Sequence, residues 1–363
     1  MNIIIRKIEH ILFSLLRMAL NGTACTDIEW DKISEQEWNA CYRLASEQGV
    51  MAMAWDGLQL VMSQSSLPRS LKITWGLSVQ NYEQTYEHHC QTAAELSELY
   101  KKHEIGMVQL KGVGFSAYYP IPAHREGGDI DIYTYSMNHQ TRDDYEANCL
   151  ADELMLKQGI KVDTRSHKHS NFKFNGVSVE NHKTFLSVQI NPAAVPMDKL
   201  LREIIDPVTT ELCEGKYRIL TPSPAFNALF LSFHAAQHFG YGFRLHHLVD
   251  WACLLNREGF CMPQRVTDKR FLNFVCAMTH LCNELLGTKV QVNGGEDFVE
   301  ALYEQMMHSP YSERIPVKGQ MAVVWYKLKR MLYSHKKLNT VFDIPLPKII
   351  LHSIWFHLKR PGR

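Results

Sequence analysis

The sequence predicts an α+β fold, with a small mixed sheet flanked by N- and C-terminal helical regions, and three observations support this prediction. Apolar residues recur at helical spacing through residues 1–104 and again through residues 221–363. Strand-like apolar runs are confined to residues 105–220. That segment contains Asn175-Gly176, the preferred dipeptide of a two-residue hairpin turn. We therefore expect an N-terminal helical region, an α/β core and a C-terminal helical region with these bounds.

The elements follow from the same periodicities. In the N-terminal region, Gly49 and Gly106 stand where the C-terminal caps of two helices belong, and Pro68 separates the halves. The C-terminal region is predicted to open with two helices between about residues 222 and 258. In chain order, the core is predicted to contain a strand at 107–110, a turn at 111–114, a short helix at 115–119, a strand at 129–133 and a helix over 142–159.

Composition and charge limit the classes of partner. The chain has 363 residues, 45% of them hydrophobic, and a formal net charge of +1. This charge gives no global field to attract nucleic acid, so a nucleic-acid partner is disfavoured. Nine scattered cysteines without a CxxC pair indicate reduced thiols, and we expect a cytoplasmic protein.

The two ends of the chain are apolar but predict no membrane span. Charges at Arg6, Lys7 and Arg17 interrupt the first apolar run, which therefore resembles an amphipathic helix more than a signal peptide. The tail PLPKIILHSIWFHLKRPGR is apolar, aromatic and basic. Either a packed terminal helix or a contact with a membrane surface explains it.

The hairpin predicted at Asn175-Gly176 fixes which side chains share a face. A two-residue turn pairs Phe172 with Val179 on an apolar face. The opposite face then carries polar residues, with His169 opposite His182, Asn171 opposite Glu180 and Lys173 opposite Ser178.

Two carboxylates alternate with apolar residues in the strand sequence DIDIY. Alternation places Asp129 and Asp131 on one face, roughly 6.5–7 Å apart. A hard cation such as Mg²⁺ accounts for such a pair, and Glu180 on a neighbouring strand is a candidate third ligand for a one- or two-metal site. The alternative is an exposed edge strand whose acids face water. Without metal, three carboxylates repel one another, so we expect a raised pKa for at least one of them. For the same reason, Asp131→Asn should leave metal-free stability unchanged or slightly higher.

Residues around the acids suggest a phosphate site. Gly128, beside Gly127, lets the backbone approach a ligand closely, and Lys111-Gly112 lies between a strand and a helix, where backbone N–H groups can hold phosphate. Arg125 either clamps phosphate or pairs with an acid nearby.

These segments carry a resemblance to a known superfamily. LKGVGFSAYYP, REGGDIDIY and VSVENH together resemble nucleotidyltransferases of the DNA polymerase beta type, above all an uncharacterised bacterial family. The resemblance implies a sheet of that type. It also implies a glycine turn at Gly112, with Lys111 and Gly114 beside it, that holds a nucleoside triphosphate. Asp129 and Asp131 would bind Mg²⁺, with Mn²⁺ as a substitute, and Glu180 would help to activate the attacking hydroxyl. Arg125, Gly128 and His182 are the remaining candidate nucleotide-binding residues.

Three functions are compatible with these features. The first is a Mg²⁺-dependent transfer of a nucleoside monophosphate from a nucleoside triphosphate to an unidentified small-molecule or protein acceptor, with release of pyrophosphate. The second is a non-catalytic module of the same fold that binds a nucleotide or a protein. The third is a hydrolase built on residues 234–250, which lacks the His-Asp dipeptide that such an enzyme requires.

Residues 234–250 also have simpler interpretations. His234 and His238 have the HxxxH spacing that can bind zinc, although no glutamate lies between them. Packing of the helix pair beneath the α/β core is the favoured explanation of these histidines, and contact with nucleotide or acceptor is the alternative. Arg244 and Asp250 are expected to pair across the helix start.

Overall fold

The computed structural model describes residues 4–137, 144–240, 242–257, 262–309 and 318–359. The helices are α1 (Lys7–Asn21), α2 (Glu35–Gln48), α3 (Met51–Val61), α4 (Arg69–Lys101), α5 (Val113–Ser116), α6 (Asp144–Lys157), α7 (Ala194–Ile204), α8 (Pro224–His238), α9 (Leu245–Leu255), α10 (Lys269–Leu281), α11 (Glu296–His308), α12 (Gln320–Phe342) and α13 (Leu346–Lys359). The strands are β1 (Ile105–Gln109), β2 (Ile130–Ser136), β3 (Val162–Asp163), β4 (His169–Phe174), β5 (Val177–His182), β6 (Val208–Leu212) and β7 (Tyr217–Thr221).

The predicted α+β class is confirmed. A seven-stranded sheet has the strand order β3-β4-β5-β2-β1-β7-β6 and is flanked in sequence by helices on both sides. The sheet is mixed, because β2 runs parallel to β5 and β1 parallel to β7, whereas the other neighbours are antiparallel.

The chain folds as two compact units. One contains Met1–Val79 and Ala228–Leu346, and the other contains Gln80–Asn227 and Pro347–Arg363. The whole sheet belongs to the second unit, which we call the sheet unit. The three-segment division expected from the sequence stays a prediction.

The core of the sheet unit lies between one face of the sheet and helices α4 and α6. Ile130 and Ile132 of β2 and Val179 of β5 are fully buried there. Buried side chains of α4, among them Leu96, and of α6, among them Met155, cover this face. Since side chains alternate along a strand, Asp131 and Glu180 point to the opposite face of the sheet.

The hairpin prediction is confirmed in every pair. Asn175 and Gly176 both have positive φ, at 49° and 81°, as a type I′ turn requires. Phe172 pairs with Val179, and the pairs on the polar face follow as predicted. A shift by one residue would have moved every side chain to the other face.

Other boundaries needed correction. Gly49 is the left-handed C-terminal cap of α2 as predicted, but Gly106 lies inside β1, because α4 already ends at Lys101. The short helix after the first strand is α5 at Val113–Ser116, two residues earlier than expected. Asp129 precedes β2, which begins at Ile130.

The ends of the chain form helices. Within the described part of the chain, no helix combines the length and the apolar character that crossing a membrane requires. In α13, His352 contacts the carbonyl oxygen of Val188 at 2.7 Å, whereas Leu351 and Trp355 are exposed.

Candidate functional site

Three carboxylates meet on one face of the sheet, near the start of the interior strand β2. Asp131 of β2 is in register with Glu180 of the parallel strand β5, and Asp129 stands just before β2. One oxygen from each lies within 4.8 Å of the others. Local strand alternation and the parallel pairing of β2 with β5 therefore bring the three predicted acids together.

Asp131 is fully buried between Lys111 and His182. Its Oδ1 lies 3.1 Å from Nζ of Lys111 and 2.9 Å from Nε2 of His182. Burial alone would raise the pKa of Asp131, but Lys111 and His182 lower it to about 2. Its Oδ2 is buried and has no hydrogen-bond partner among the described residues. One oxygen of this carboxylate is thus a buried acceptor that no described residue satisfies.

Glu180 is held by two histidines. Nδ1 of His169 lies 2.9 Å from its Oε2, and Nε2 of His182 lies 3.6 Å away. Although burial opposes this, the histidines hold the pKa of Glu180 far below its ordinary value.

Asp129 shows the repulsion expected among clustered acids. Burial, followed by the negative charge of Asp131, raises its pKa, and Lys111 offsets only part of this effect. Asp131 and Glu180 behave differently, since Lys111 and the neighbouring histidines lower the pKa of these two carboxylates. The premise that Asp131 is an uncompensated charge is therefore wrong.

Two lysines surround the acids. Burial would lower the pKa of Lys111, but the carboxylates of Asp131 and Asp129 raise it. Burial and the positive charge of Lys111 lower the pKa of Lys168. The carboxylates of the three acids act in the opposite direction and offset part of this effect. Sequence reasoning missed Lys168. Its position immediately before His169, the first residue of the polar hairpin face, was the available signal.

The turn after β1 requires glycine. Gly112 has φ 60° and ψ −128°, a conformation that other residues rarely adopt, and an added Cβ would lie 3.1 Å from the carbonyl oxygen of Asp129. Gly114 packs differently, because its Cβ would lie 2.6 Å from the carbonyl oxygen of Gln109. Gly112 thus shapes the approach to Asp129, whereas Gly114 lets α5 pack on β1.

A narrow cleft, with a cavity volume of about 10 Å³, adjoins Asp129 and Gly112. Arg125 lines it, donates a hydrogen bond to the carbonyl oxygen of Gly112 at 3.2 Å and lies over the Phe115 ring. The far wall comes from α4 and was not found from the sequence. Its residues include Tyr82, Tyr86 and His89, which recur at helical spacing.

The remaining predicted site residues fall in two places. His182 and Lys111 join the carboxylates directly. Gly128 is exposed, and nothing lies within 4 Å of a Cβ added there. Close packing against other parts of the protein therefore does not explain why glycine occupies this position.

A mixed sheet that presents three acids beside a glycine turn defines a phosphoryl-transfer type of protein. Residues 34–287 match the model of a family described as uncharacterised nucleotidyltransferase, and the chain belongs to this family. This match supports nucleotidyl transfer as the general type of activity. No curated protein and no solved structure matches the chain.

The acid cluster suits a hard divalent cation. Its three members offer only oxygen ligands, which Mg²⁺ and Mn²⁺ prefer. The unpartnered Oδ2 of Asp131 is a buried acceptor of the kind that a cation would occupy. The residues present therefore fit a divalent metal. A second set, His169, Glu180 and His182, shares Glu180 with the first.

Proposed function

We propose that this chain is a nucleotidyltransferase that depends on Mg²⁺ or Mn²⁺ and uses a nucleoside triphosphate. Asp129, Asp131 and Glu180 would hold the cation. The acceptor would be a small molecule or a protein that offers a hydroxyl or phosphate oxygen. That oxygen would attack the α-phosphorus, the bond from this phosphorus to the α–β bridging oxygen would break, and pyrophosphate would leave. Where the acceptor is a hydroxyl, its proton would pass to solvent.

The observation that carries this proposal is the buried, unpartnered Oδ2 of Asp131 inside a cluster of three acids. An unsatisfied buried carboxylate oxygen is costly, and a bound cation would remove that cost. The neighbouring cleft at Gly112 and Arg125 supports a phosphate-bearing ligand beside Asp129.

Each charged group would have a defined task. A bound divalent cation would supply positive charge to the phosphate oxygens. Asp131 and Glu180 are ionised at neutral pH, so they offer their oxygens without losing a proton. Because its pKa is so low, Glu180 is a poor proton acceptor, and we assign it to holding the cation. Lys111 and Lys168 would balance the charge of a triphosphate.

The first test compares metal-dependent stabilisation of two variants. Asp129→Asn removes a carboxylate whose raised pKa means that its ionised form destabilises the folded state at neutral pH. The metal-free variant should be as stable as wild type or more so. In wild type, Mg²⁺ at 100 times its Kd should add about 2.7 kcal/mol, and most of this gain should vanish in the variant. Thermal unfolding with and without Mg²⁺ measures both effects.

Asp31→Asn is the matched control, since it removes an exposed carboxylate outside the sheet unit. It should keep the full metal response. Equal shifts in Asp129→Asn and wild type would contradict the metal assignment.

The second candidate function is a non-catalytic module that binds a nucleotide or a protein. One observation favours it: Lys111 already forms an ion pair with Asp131, and two histidines engage Glu180. A site neutralised by the protein's own cations does not require a metal for stability.

A transfer assay separates the two candidates. The purified chain is incubated with each labelled nucleoside triphosphate and Mg²⁺, with and without cell extract. Label on an acceptor, lost in Asp129→Asn, supports the enzyme. A nucleotide-dependent thermal shift without transfer or pyrophosphate release supports the binding module.

A further inference from the structure

A second group of possible metal ligands lies in the other compact unit. His234 and His238 stand one turn apart on α8, and His247 comes from the first turn of α9. One ring nitrogen from each lies within 4.8 Å of the others. The HxxxH pair was visible in the sequence, but the third histidine was brought to it by the fold.

The three rings face one another closely. The ring centroids of His234 and His238 are 4.5 Å apart, and that of His247 lies 5.1 Å from His238 and 5.8 Å from His234. Helical spacing accounts for the first distance, because residues four apart share a face. Small side-chain adjustments would bring the nitrogens to the separation that a common ion needs.

His247 is held in position by its surroundings. Phe243 stacks on its ring at 5.5 Å between centroids. Its Nδ1 lies 3.1 Å from the backbone nitrogen and 3.3 Å from the carbonyl oxygen of Arg244, so either tautomer finds a partner there. Backbone contacts of this kind orient metal-binding imidazoles in proteins.

We propose that His234, His238 and His247 form a site for a transition-metal ion of intermediate hardness, such as Zn²⁺. Three imidazoles leave one position of a tetrahedral ion for water or another ligand. This site is separate from the acid cluster in chemistry, since nitrogen ligands select Zn²⁺ or Co²⁺ whereas carboxylates select Mg²⁺. It does not depend on nucleotidyl transfer.

The test must distinguish metal binding at the three histidines from binding at the two ligand clusters of the sheet unit. Both of them contain Glu180, so one substitution, Glu180→Gln, weakens both. The full-length Glu180→Gln chain, stripped of metal, is titrated with Zn²⁺ and Co²⁺. We expect one equivalent to bind per chain, with a visible cobalt spectrum typical of tetrahedral coordination and a rise in unfolding temperature.

Ligand variants then locate the site. In the same background, His234→Gln and His238→Gln should each weaken Zn²⁺ binding by about tenfold or more, because each removes one of three ligands. Both histidines are half-buried, so glutamine should be accommodated, and circular dichroism checks the fold. His280→Gln is the matched control: it removes an imidazole of the same unit, which contacts the carbonyl oxygen of Gly294, and should bind Zn²⁺ normally.

One measurement needs no ligand variant. Zn²⁺ should slow amide hydrogen exchange in peptides covering α8 and α9 of the Glu180→Gln chain. Absence of a bound equivalent, unchanged exchange in these helices, or undiminished binding by both ligand variants would overturn the proposal.

Discussion

A carboxylate buried between an ammonium group and an imidazole stabilises a fold to the extent that its pKa falls on folding. For Asp131 the pKa falls from 3.8 to about 2, so its ionised form favours the folded state. This contribution is complete above 3.8 and is lost as the pH falls through the folded value. The raised pKa of Lys111, whose Nζ lies 3.1 Å from Oδ1 of Asp131, depends on the same carboxylate charge.

We therefore expect Asp131→Asn to destabilise the metal-free protein, the reverse of the sequence-based expectation. At neutral pH the loss should be about 2 kcal/mol, from about 1.4 kcal/mol per pKa unit. The difference from wild type should shrink as the pH falls from 3.8 toward 2. Urea unfolding across this range measures it. A variant as stable as wild type at neutral pH would show that the ion pair contributes nothing.

At the scale of elements, the turn between β1 and α5 sets the shape of the site. Gly112 adopts a backbone conformation reserved for glycine, and the carbonyl oxygen of Asp129 lies beside the place where a Cβ would stand. Strand β2 and this turn therefore fit together only when residue 112 has no side chain.

Gly112→Ala should cost about 1–3 kcal/mol, since alanine is strained at this backbone conformation. Displacing Asp129 should also reduce the Mg²⁺-dependent thermal shift. Gly128→Ala is the control, because Gly128 is exposed and nothing lies within 4 Å of the added Cβ. That control should change stability by less than about 0.5 kcal/mol. Equal costs in the two variants, measured by urea unfolding, would argue against strain at Gly112.

At the scale of the whole molecule, the two compact units carry different candidate ligand sets. The acids and the cleft belong to the sheet unit, and the three histidines belong to the unit that contains α8 beyond Ala228 and α9.

Hydrogen exchange should reveal which segments respond to nucleotide. With Mg²⁺ and a non-hydrolysable nucleoside triphosphate, exchange should slow most in peptides covering 105–132 and 177–182, because ligand contacts suppress local opening there. The same ligands should have little effect on the Asp129→Asn chain. The strongest slowing in α8 and α9 instead would contradict the location of the nucleotide site.

The sequence by itself determined the class of fold and the three acids. Period-two alternation in DIDIY and the Asn175-Gly176 turn are local signals, and they fixed which side chains share a face before any contact was known. Glu180 could be assigned to the polar face because a two-residue turn fixes which residues of the two strands pair.

Only the tertiary structure decided what surrounds those acids. Lys111 reaches Asp131 because β1 and β2 are neighbours, and Lys168 comes from the approach to another strand. The aromatic wall of the cleft comes from α4, and His247 of α9 lies against the rings of His234 and His238 of α8. Local periodicity cannot predict such contacts, because they depend on how elements distant in sequence pack against one another.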